Sequence, residues 1–206
     1  MLLQFLQGNI TQIEFVFGLV ALIVSLSIHE FAHALVATRL GDPTPRMLGR
    51  LTINPAAHLD PVGSILLLLT GFGWGKPVPI NPTQIKGGRR GVAWVSLAGP
   101  ASNFLLAIFF GLLLRFRLFP ANSLFPDLAL VFVSLNVGLM VFNLLPFGPL
   151  DGFKIAMGFL PSKTAFNLAR SNIQSQMIVM YVIALFVFPY IANFVLNWFW
   201  KIVVGF

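Results

Sequence analysis

The stretch His29-Glu30-Phe31-Ala32-His33 lies in the middle of an otherwise apolar run, residues 13–36. Residues four apart share one face of a helix, so the imidazoles of His29 and His33 can reach the same metal ion. Glu30 lies beside them, where its carboxylate can take a proton from water at the metal. The spacing is typical of a zinc hydrolase.

Three ionisable side chains in an apolar helix are costly to bury, so they need a compensating interaction. A bound metal ion supplies one. The alternative is a hydrogen-bonded polar cluster that holds helices together. The spacing favours the metal, because one ion satisfies both histidines and ordinary helix packing does not require that arrangement.

The composition predicts an all-α polytopic membrane protein. Of its 206 residues, 57% are hydrophobic and 9% charged, and the mean hydropathy is +0.88. A soluble domain averages about a quarter charged residues. The length suits one domain over residues 1–206 with about four transmembrane helices of ~20 residues each. The net charge is +7, but the basic residues lie between the apolar runs and form no basic-aromatic binding segment. Nucleic acid is therefore not expected as a partner.

Four spans follow from the apolar runs. They are predicted at about residues 13–40, ended by Gly41-Asp42-Pro43; residues 91–114; a third from Asp127, broken at residues 145–149; and residues 176–200, interrupted by Pro189. The catalytic core is expected within about residues 13–160, followed by a C-terminal helix at about 176–203. The first helix is expected to stay as the membrane anchor.

The chain between the first two spans is irregular. Residues 61–72 form an apolar run too short to cross a bilayer, which predicts a re-entrant segment. Residues 51–55 and 78–82 share Ile-Asn-Pro and have strand-like composition, which predicts a small β-hairpin-like element.

A catalytic zinc usually has three protein ligands. The chain has no cysteine, so the third must be His58 or a carboxylate. Asp151 is the preferred candidate because it follows a proline- and glycine-broken stretch in an apolar region. From the residues alone, Asp151 is equally well explained as the N-cap of the helix that follows.

Basic residues predict the orientation. Ten lie in the two connections on one side of the spans, and only Arg115, Arg117 and Lys201 lie on the other. The positive-inside rule puts the larger group and the active-site end at the cytoplasmic face, with the N-terminus outside. The expected location is the cell membrane of a prokaryote.

Several separated motifs together resemble the site-2 protease family of intramembrane zinc metalloproteases, in its compact branch without PDZ or CBS domains. The similarity covers about residues 19–160 in the family's order. The motifs are His29-Glu30-Phe31-Ala32-His33, Asn54-Pro55 through His58, Asp60-Pro61, Gly75-Lys76-Pro77-Val78-Pro79-Ile80-Asn81-Pro82, Ala98-Gly99-Pro100 with Asn103, Asn143-Leu144-Leu145-Pro146 and Leu150-Asp151-Gly152.

The resemblance implies a three-helix catalytic core that holds one zinc ion on His29, His33 and Asp151, with Glu30 as the catalytic base. Its substrates would be transmembrane proteins, cut within or next to a membrane-spanning segment. Asn103 is similar to the family's membrane-embedded asparagine, which can contact substrate or the developing oxyanion.

Three candidates keep a structural alternative. Asn103 and Asn143 are candidates for contact with substrate or the oxyanion; an interhelical hydrogen bond explains Asn103 as well, and it is the preferred explanation for Asn143. His58 is either a substrate-side residue or a local hydrogen-bond partner of Asp60. For the whole protein, the alternatives are a non-catalytic zinc carrier or scaffold and a helix-packing protein without metal. Glu30 argues against a carrier, which needs ligands but no base.

Overall fold

The structure, a computed structural model, describes residue 5 and residues 7–70, 75–120, 122–169, 178–179, 181–183 and 186–205. These residues form the helices α1 (Gln12–Arg39), α2 (Thr44–Met47), α3 (Pro61–Thr70), α4 (Gly88–Arg115), α5 (Phe125–Asn143), α6 (Asp151–Phe159), α7 (Ser162–Ala169) and α8 (Phe188–Phe199). A 3-10 turn covers Pro55–Ala57, and a π-helical turn, Trp200–Val204, follows α8.

Three of the described helices, α1, α4 and α5, are long and apolar enough to cross a membrane. They match the first three predicted spans, and α5 ends before the break predicted at residues 145–149. The predicted fourth span lies partly outside the described residues, so the count of four is not confirmed. Its longest described part, α8, begins at Phe188, and Pro189 occupies the first turn of the helix, where its missing N–H costs nothing.

Both ends of α1 follow from local sequence. Thr11 and Glu14 form a capping box: the Thr11 hydroxyl accepts from the Glu14 N–H at 3.2 Å, and the Glu14 carboxylate accepts from the Thr11 N–H at 2.7 Å. At the other end, Gly41 adopts a φ of +106°, which a side chain would disfavour. The helix therefore stops where the sequence predicts.

Helix α4 is the centre of the fold, because it packs against α1, α5 and α6. One apolar core joins α4 and α5 to α8 and its π-helical turn through Ala107, Val133, Val137 and Phe199. A second joins α1 and α4 near the other end through Ala37, Ile85 and Val95. The predicted three-helix core is present as α1, α4 and the helix pair α5 and α6.

The predicted β-hairpin is not confirmed. Among the described residues there is no sheet, and the only β pairing is an isolated antiparallel bridge between Leu59 and Gly75. Pro79 and Pro82 have no N–H, so they cannot sustain a ladder. In the other segment the Asn54 side chain accepts from the Ala56 N–H at 3.1 Å and starts the 3-10 turn instead.

Helix α3 covers most of the run predicted to be re-entrant. Its ten residues reach only about 15 Å, about half of a hydrocarbon layer. It is therefore too short to cross, as the sequence predicts, and its insertion into the bilayer stays a prediction.

Candidate metal centre

Helix α1 presents the two histidines on one buried face. The Nε2 atoms of His29 and His33 lie 3.0 Å apart, and their rings meet edge to face with centroids 4.6 Å apart. Both side chains are buried. The four-residue spacing has therefore produced the juxtaposition that helix geometry predicts.

Asp151 completes the group from the first residue of α6. Its Oδ2 lies 3.2 Å from Nε2 of His29 and 3.2 Å from Nε2 of His33. The side chain is buried and is not used to cap its own helix. The structure thus brings together the three residues predicted as metal ligands, although 118 positions separate His33 from Asp151.

Hydrogen-bond partners on α4 orient the two histidines. Nδ1 of His33 lies 2.7 Å from the carbonyl oxygen of Val95, which can only accept a hydrogen bond. Nδ1 of a neutral His33 therefore carries the proton, and its Nε2 keeps a lone pair free for a metal ion. Nδ1 of His29 has a side-chain partner instead, the Oδ1 of Asn103 at 2.6 Å.

The donor set fits a zinc ion. In a tetrahedral site with bonds of about 2.0–2.1 Å, ligand atoms lie about 3.3 Å from one another. The three separations here are 3.0, 3.2 and 3.2 Å. Imidazole nitrogens and a carboxylate oxygen are ligands that zinc prefers, and three of them leave a fourth position for water or substrate.

Glycine at position 99 makes room for the imidazoles. A Cβ placed there would lie 2.4 Å from Nε2 of His33 and 2.5 Å from Nε2 of His29. No side chain fits without displacing the histidines. Gly99 of the Ala98-Gly99-Pro100 motif thus borders the metal donors directly, as a small residue at a close helix contact can.

Glu30 faces the same cavity as the metal donors. Its Oε2 accepts a hydrogen bond from the Val78 N–H at 3.1 Å, which holds the carboxylate in place. The cavity has a volume of about 400 Å³ and is bordered by His29, Glu30, His33 and Asp151 together with Pro77, Val78, Ile80, Asn143 and Lys154. It has space for both a water molecule and part of a peptide.

The remaining predicted candidates lie at different distances from this cavity. Asn143 borders it, while its Nδ2 donates to the Leu139 carbonyl one turn earlier at 2.9 Å. His58 does not border it: the side chain is fully buried and its Nε2 lies 2.7 Å from the Thr52 carbonyl. Asp60, its expected partner, accepts instead from the Gly63 N–H at the start of α3. The geometry of His58 favours the local hydrogen-bonding interpretation.

Two polar residues near the site were not predicted from the sequence. Asn136 on α5 donates to Ser25 on α1 at 2.8 Å and accepts from Asn103 at 2.9 Å. All three side chains are fully buried. The available signal was an asparagine within an apolar span, since a polar residue in such a helix usually needs a partner on another helix.

Comparisons with known proteins agree with this geometry. The chain is 41% identical over 160 residues to "Putative zinc metalloprotease YwhC" of Bacillus subtilis (strain 168), covering 74% of this chain and 73% of that protein. It is 31% identical over 198 residues to "Putative zinc metalloprotease Rip2" of Mycolicibacterium smegmatis, covering 93% of this chain and 73% of the relative. The protein of the same name from Mycobacterium tuberculosis (strain H37Rv) is 30% identical over 181 residues.

No protein-family model matches the chain, and no solved structure does. The similarity to these relatives and the convergence of the motif residues nevertheless identify the family of this chain. This chain is a member of the site-2 protease family.

Proposed function

We propose that this protein is a zinc-dependent intramembrane endopeptidase that hydrolyses peptide bonds within or next to the transmembrane segments of other membrane proteins. The observation that carries the proposal is the convergence of His29, His33 and Asp151 with Glu30 at one cavity, in a bundle whose helices α1, α4 and α5 are long and apolar enough to cross a membrane. The names of the three relatives support zinc and proteolysis.

His29, His33 and Asp151 would hold the zinc ion between α1 and α6. When bound, zinc acts as a Lewis acid that polarises a peptide carbonyl and eases the deprotonation of water. Helix α4 supports this arrangement by accepting a hydrogen bond from His33 at the Val95 carbonyl and by leaving space at Gly99.

Glu30 has the role of general base and then of general acid. Its carboxylate accepts the proton of the attacking water and returns a proton to the leaving amine nitrogen. The hydrogen bond from the Val78 N–H restrains one carboxylate oxygen and leaves Oε1 as the oxygen for this exchange. A zinc carrier or scaffold would need the three ligands but no such base, so the carrier alternative is not favoured.

The substrate must present an unwound peptide, because the carbonyl groups of an intact helix are occupied by their own hydrogen bonds. Pro77, Val78 and Ile80, which lie outside any helix, border the cavity together with Leu139 and Phe142 of α5. An extended stretch of an apolar substrate segment is the ligand that suits this lining.

The test is the Glu30→Gln variant, expressed in place of the natural chain. The amide keeps the size of the side chain but cannot accept the proton, so we expect turnover to fall about 10²–10⁴-fold. Zinc content should be unchanged, because Glu30 is not a ligand. The measurement is a proteomic comparison of membrane fractions, in which membrane-embedded fragments should accumulate only with the variant.

Two results would contradict the proposal. One is an unchanged fragment population together with unchanged cleavage of a helix-destabilised membrane substrate by the purified variant. The other is loss of zinc from Glu30→Gln, which would make Glu30 a ligand instead of the base. A His33→Ala variant is the matched control, since it should lose both zinc and activity.

A further inference from the structure

A relay of buried polar side chains links the metal centre on α1 to α4 and α5. It runs from His29 on α1 to Asn103 on α4, then to Asn136 on α5, and returns to α1 at Ser25. The side chains of Ser25, Asn103 and Asn136 have no exposed surface. Burying two amides in an apolar bundle is costly unless each is hydrogen-bonded, and the relay supplies those hydrogen bonds.

The direction of the relay is fixed at its far end. The Asn136 side chain lies 2.8 Å from the backbone carbonyl oxygen of Phe132. A carbonyl oxygen can only accept, so the amide nitrogen Nδ2 must face Phe132 and Ser25, and Oδ1 must face Asn103. The orientation of Asn136 is therefore determined without reference to the metal site.

That orientation sets each following link. Because Oδ1 of Asn136 can only accept, Asn103 must present its Nδ2 to it, at 2.9 Å. Oδ1 of Asn103 then faces Nδ1 of His29, at 2.6 Å. Nδ1 of a neutral His29 must carry the proton, and Nε2 presents its lone pair to the metal.

We propose that Asn136, fixed by Ser25 and the Phe132 carbonyl, is a positioning residue that sets the tautomer and ring orientation of His29 through Asn103. His33 receives the same orientation directly from the Val95 backbone. A metal-binding histidine depends on the group that accepts its other N–H, and loss of such a partner typically weakens metal binding 10–100-fold.

Two explanations for Asn103 were left open by the sequence, and this assignment builds on the interhelical hydrogen bond. Both ends of its amide are engaged within the bundle, toward His29 and toward Asn136. The side chain is fully buried and does not border the cavity. The geometry therefore supports a positioning role over a direct contact with the oxyanion.

The inference rests on the proposed zinc site, and two variant pairs test it on the purified full-length chain. Asn136→Leu keeps a similar volume and removes the relay, so zinc affinity, measured by chelator competition, should fall about 10–100-fold. Ser25→Ala should weaken zinc binding less. Ser27→Ala is the matched control: Ser27 is also buried on α1, but its hydroxyl donates to the Ile23 carbonyl of its own helix. Its zinc affinity should equal that of the natural chain.

Histidine ¹⁵N NMR supplies a readout that a purely structural role would not change. The chain has three histidines. In the metal-free protein, His29 and His33 should be protonated at Nδ1, and His58, whose Nε2 lies against the Thr52 carbonyl, at Nε2. Asn136→Leu should convert His29 to a mixture of tautomers and leave the His33 signal unchanged.

The outcomes separate the two proposals. If the natural chain binds no zinc, the proposed function is wrong, and the NMR result still decides the relay. If the natural chain binds zinc and Asn136→Leu binds it equally tightly with an unchanged His29 signal, the relay is wrong. If Asn136→Leu fails to fold, Ser25→Ala decides: equal affinity in Ser25→Ala and Ser27→Ala would overturn the inference.

Discussion

The imidazoles of His29 and His33 approach α4 so closely that the backbone of that helix forms part of the wall around the metal donors. Val95 supplies a carbonyl to His33, and four residues later Gly99 supplies empty space. Both effects come from one face of α4. The position of single backbone atoms therefore controls the spacing of the metal donors.

Gly99→Ala should displace the histidines and weaken zinc binding, because the added Cβ would lie 2.4 Å from Nε2 of His33 and 2.5 Å from Nε2 of His29. A shift of about 1 Å in a catalytic group can cost about 100-fold in activity, and we expect a loss of that order. The measurements are zinc affinity and cleavage of a membrane substrate.

Gly138→Ala is the matched control for this prediction. Gly138 also lies within a membrane-spanning helix, but a Cβ there would have no neighbour within 4 Å. This variant should keep full zinc affinity and gain up to about 1 kcal/mol of stability from the better helix propensity of alanine. Equal zinc affinity in both variants would show that α4 does not constrain the donors.

The sequence predicts single residues well where the reason is local. The juxtaposition of His29 and His33 follows from helix geometry alone, whereas the placement of Asp151 beside them depends on how α6 packs against α4. Ser25 and Asn136 were not predicted, because an isolated polar residue in an apolar helix does not reveal which helix it faces. Their partners are determined only by the packing of α1, α4 and α5.

At the scale of elements, Asp42 ties the end of α1 to the chain that leads into α4. Its Oδ1 accepts from the Thr44 N–H at 2.9 Å and its Oδ2 from the Asn81 N–H at 2.6 Å. Burial alone would raise the pKa of this carboxyl, but the hydrogen bonds from Thr44 and Asn81 more than offset it. The pKa is therefore lowered from its ordinary value of 3.8.

Asp42→Asn should lower the free energy of unfolding at pH 7 by about 1–3 kcal/mol, because the neutral amide accepts these hydrogen bonds less well. A carboxyl with a lowered pKa in the folded state stabilises the protein above the ordinary pKa and loses that contribution as the pH falls through the folded-state value. The difference between the two proteins should thus be constant above about pH 5 and disappear below pH 3.8.

Denaturant unfolding in detergent micelles across this pH range measures the difference. A gap between the natural chain and Asp42→Asn that persists unchanged well below pH 3.8 would contradict the account, since ionised Asp42 could not then be its source.

Element boundaries were predictable where a breaker marks them, as at Gly41 and at the break after α5, whereas the capping box of Thr11 and Glu14 was not predicted. The predicted β-hairpin, in contrast, is not confirmed by the described residues. The repeated Ile-Asn-Pro pieces have strand-like composition, but their prolines remove donors and Asn54 uses its side chain to start a turn. Local propensity therefore suggested strands that the hydrogen-bonding capacity of these segments does not support.

At the scale of the whole molecule, the distribution of Lys and Arg predicts one orientation. Ten basic residues lie in the connections predicted at the metal-site end of α1, and three in the segments predicted at the other end. We expect the N-terminus outside and the connection between α1 and α4 in the cytoplasm.

Reporter fusions test this orientation. A reporter joined before residue 1 should be active only outside the cytoplasm, and the same reporter inserted after Gly49, in an exposed turn, should be active only inside. A cytoplasmic reporter at residue 1 would reverse the orientation and place the metal site near the opposite face.

The central claim is that His29 and His33 of α1 and Asp151 of α6 hold one zinc ion together. It is tested most directly by the zinc content and zinc affinity of the purified full-length chain and of its Asp151→Ala variant. The account predicts about one equivalent of tightly bound zinc in the natural chain and, because one of three ligands is removed, zinc that a chelator readily extracts from the variant. A natural chain without zinc, or an Asp151→Ala variant that holds zinc as tightly as the natural chain, would contradict it.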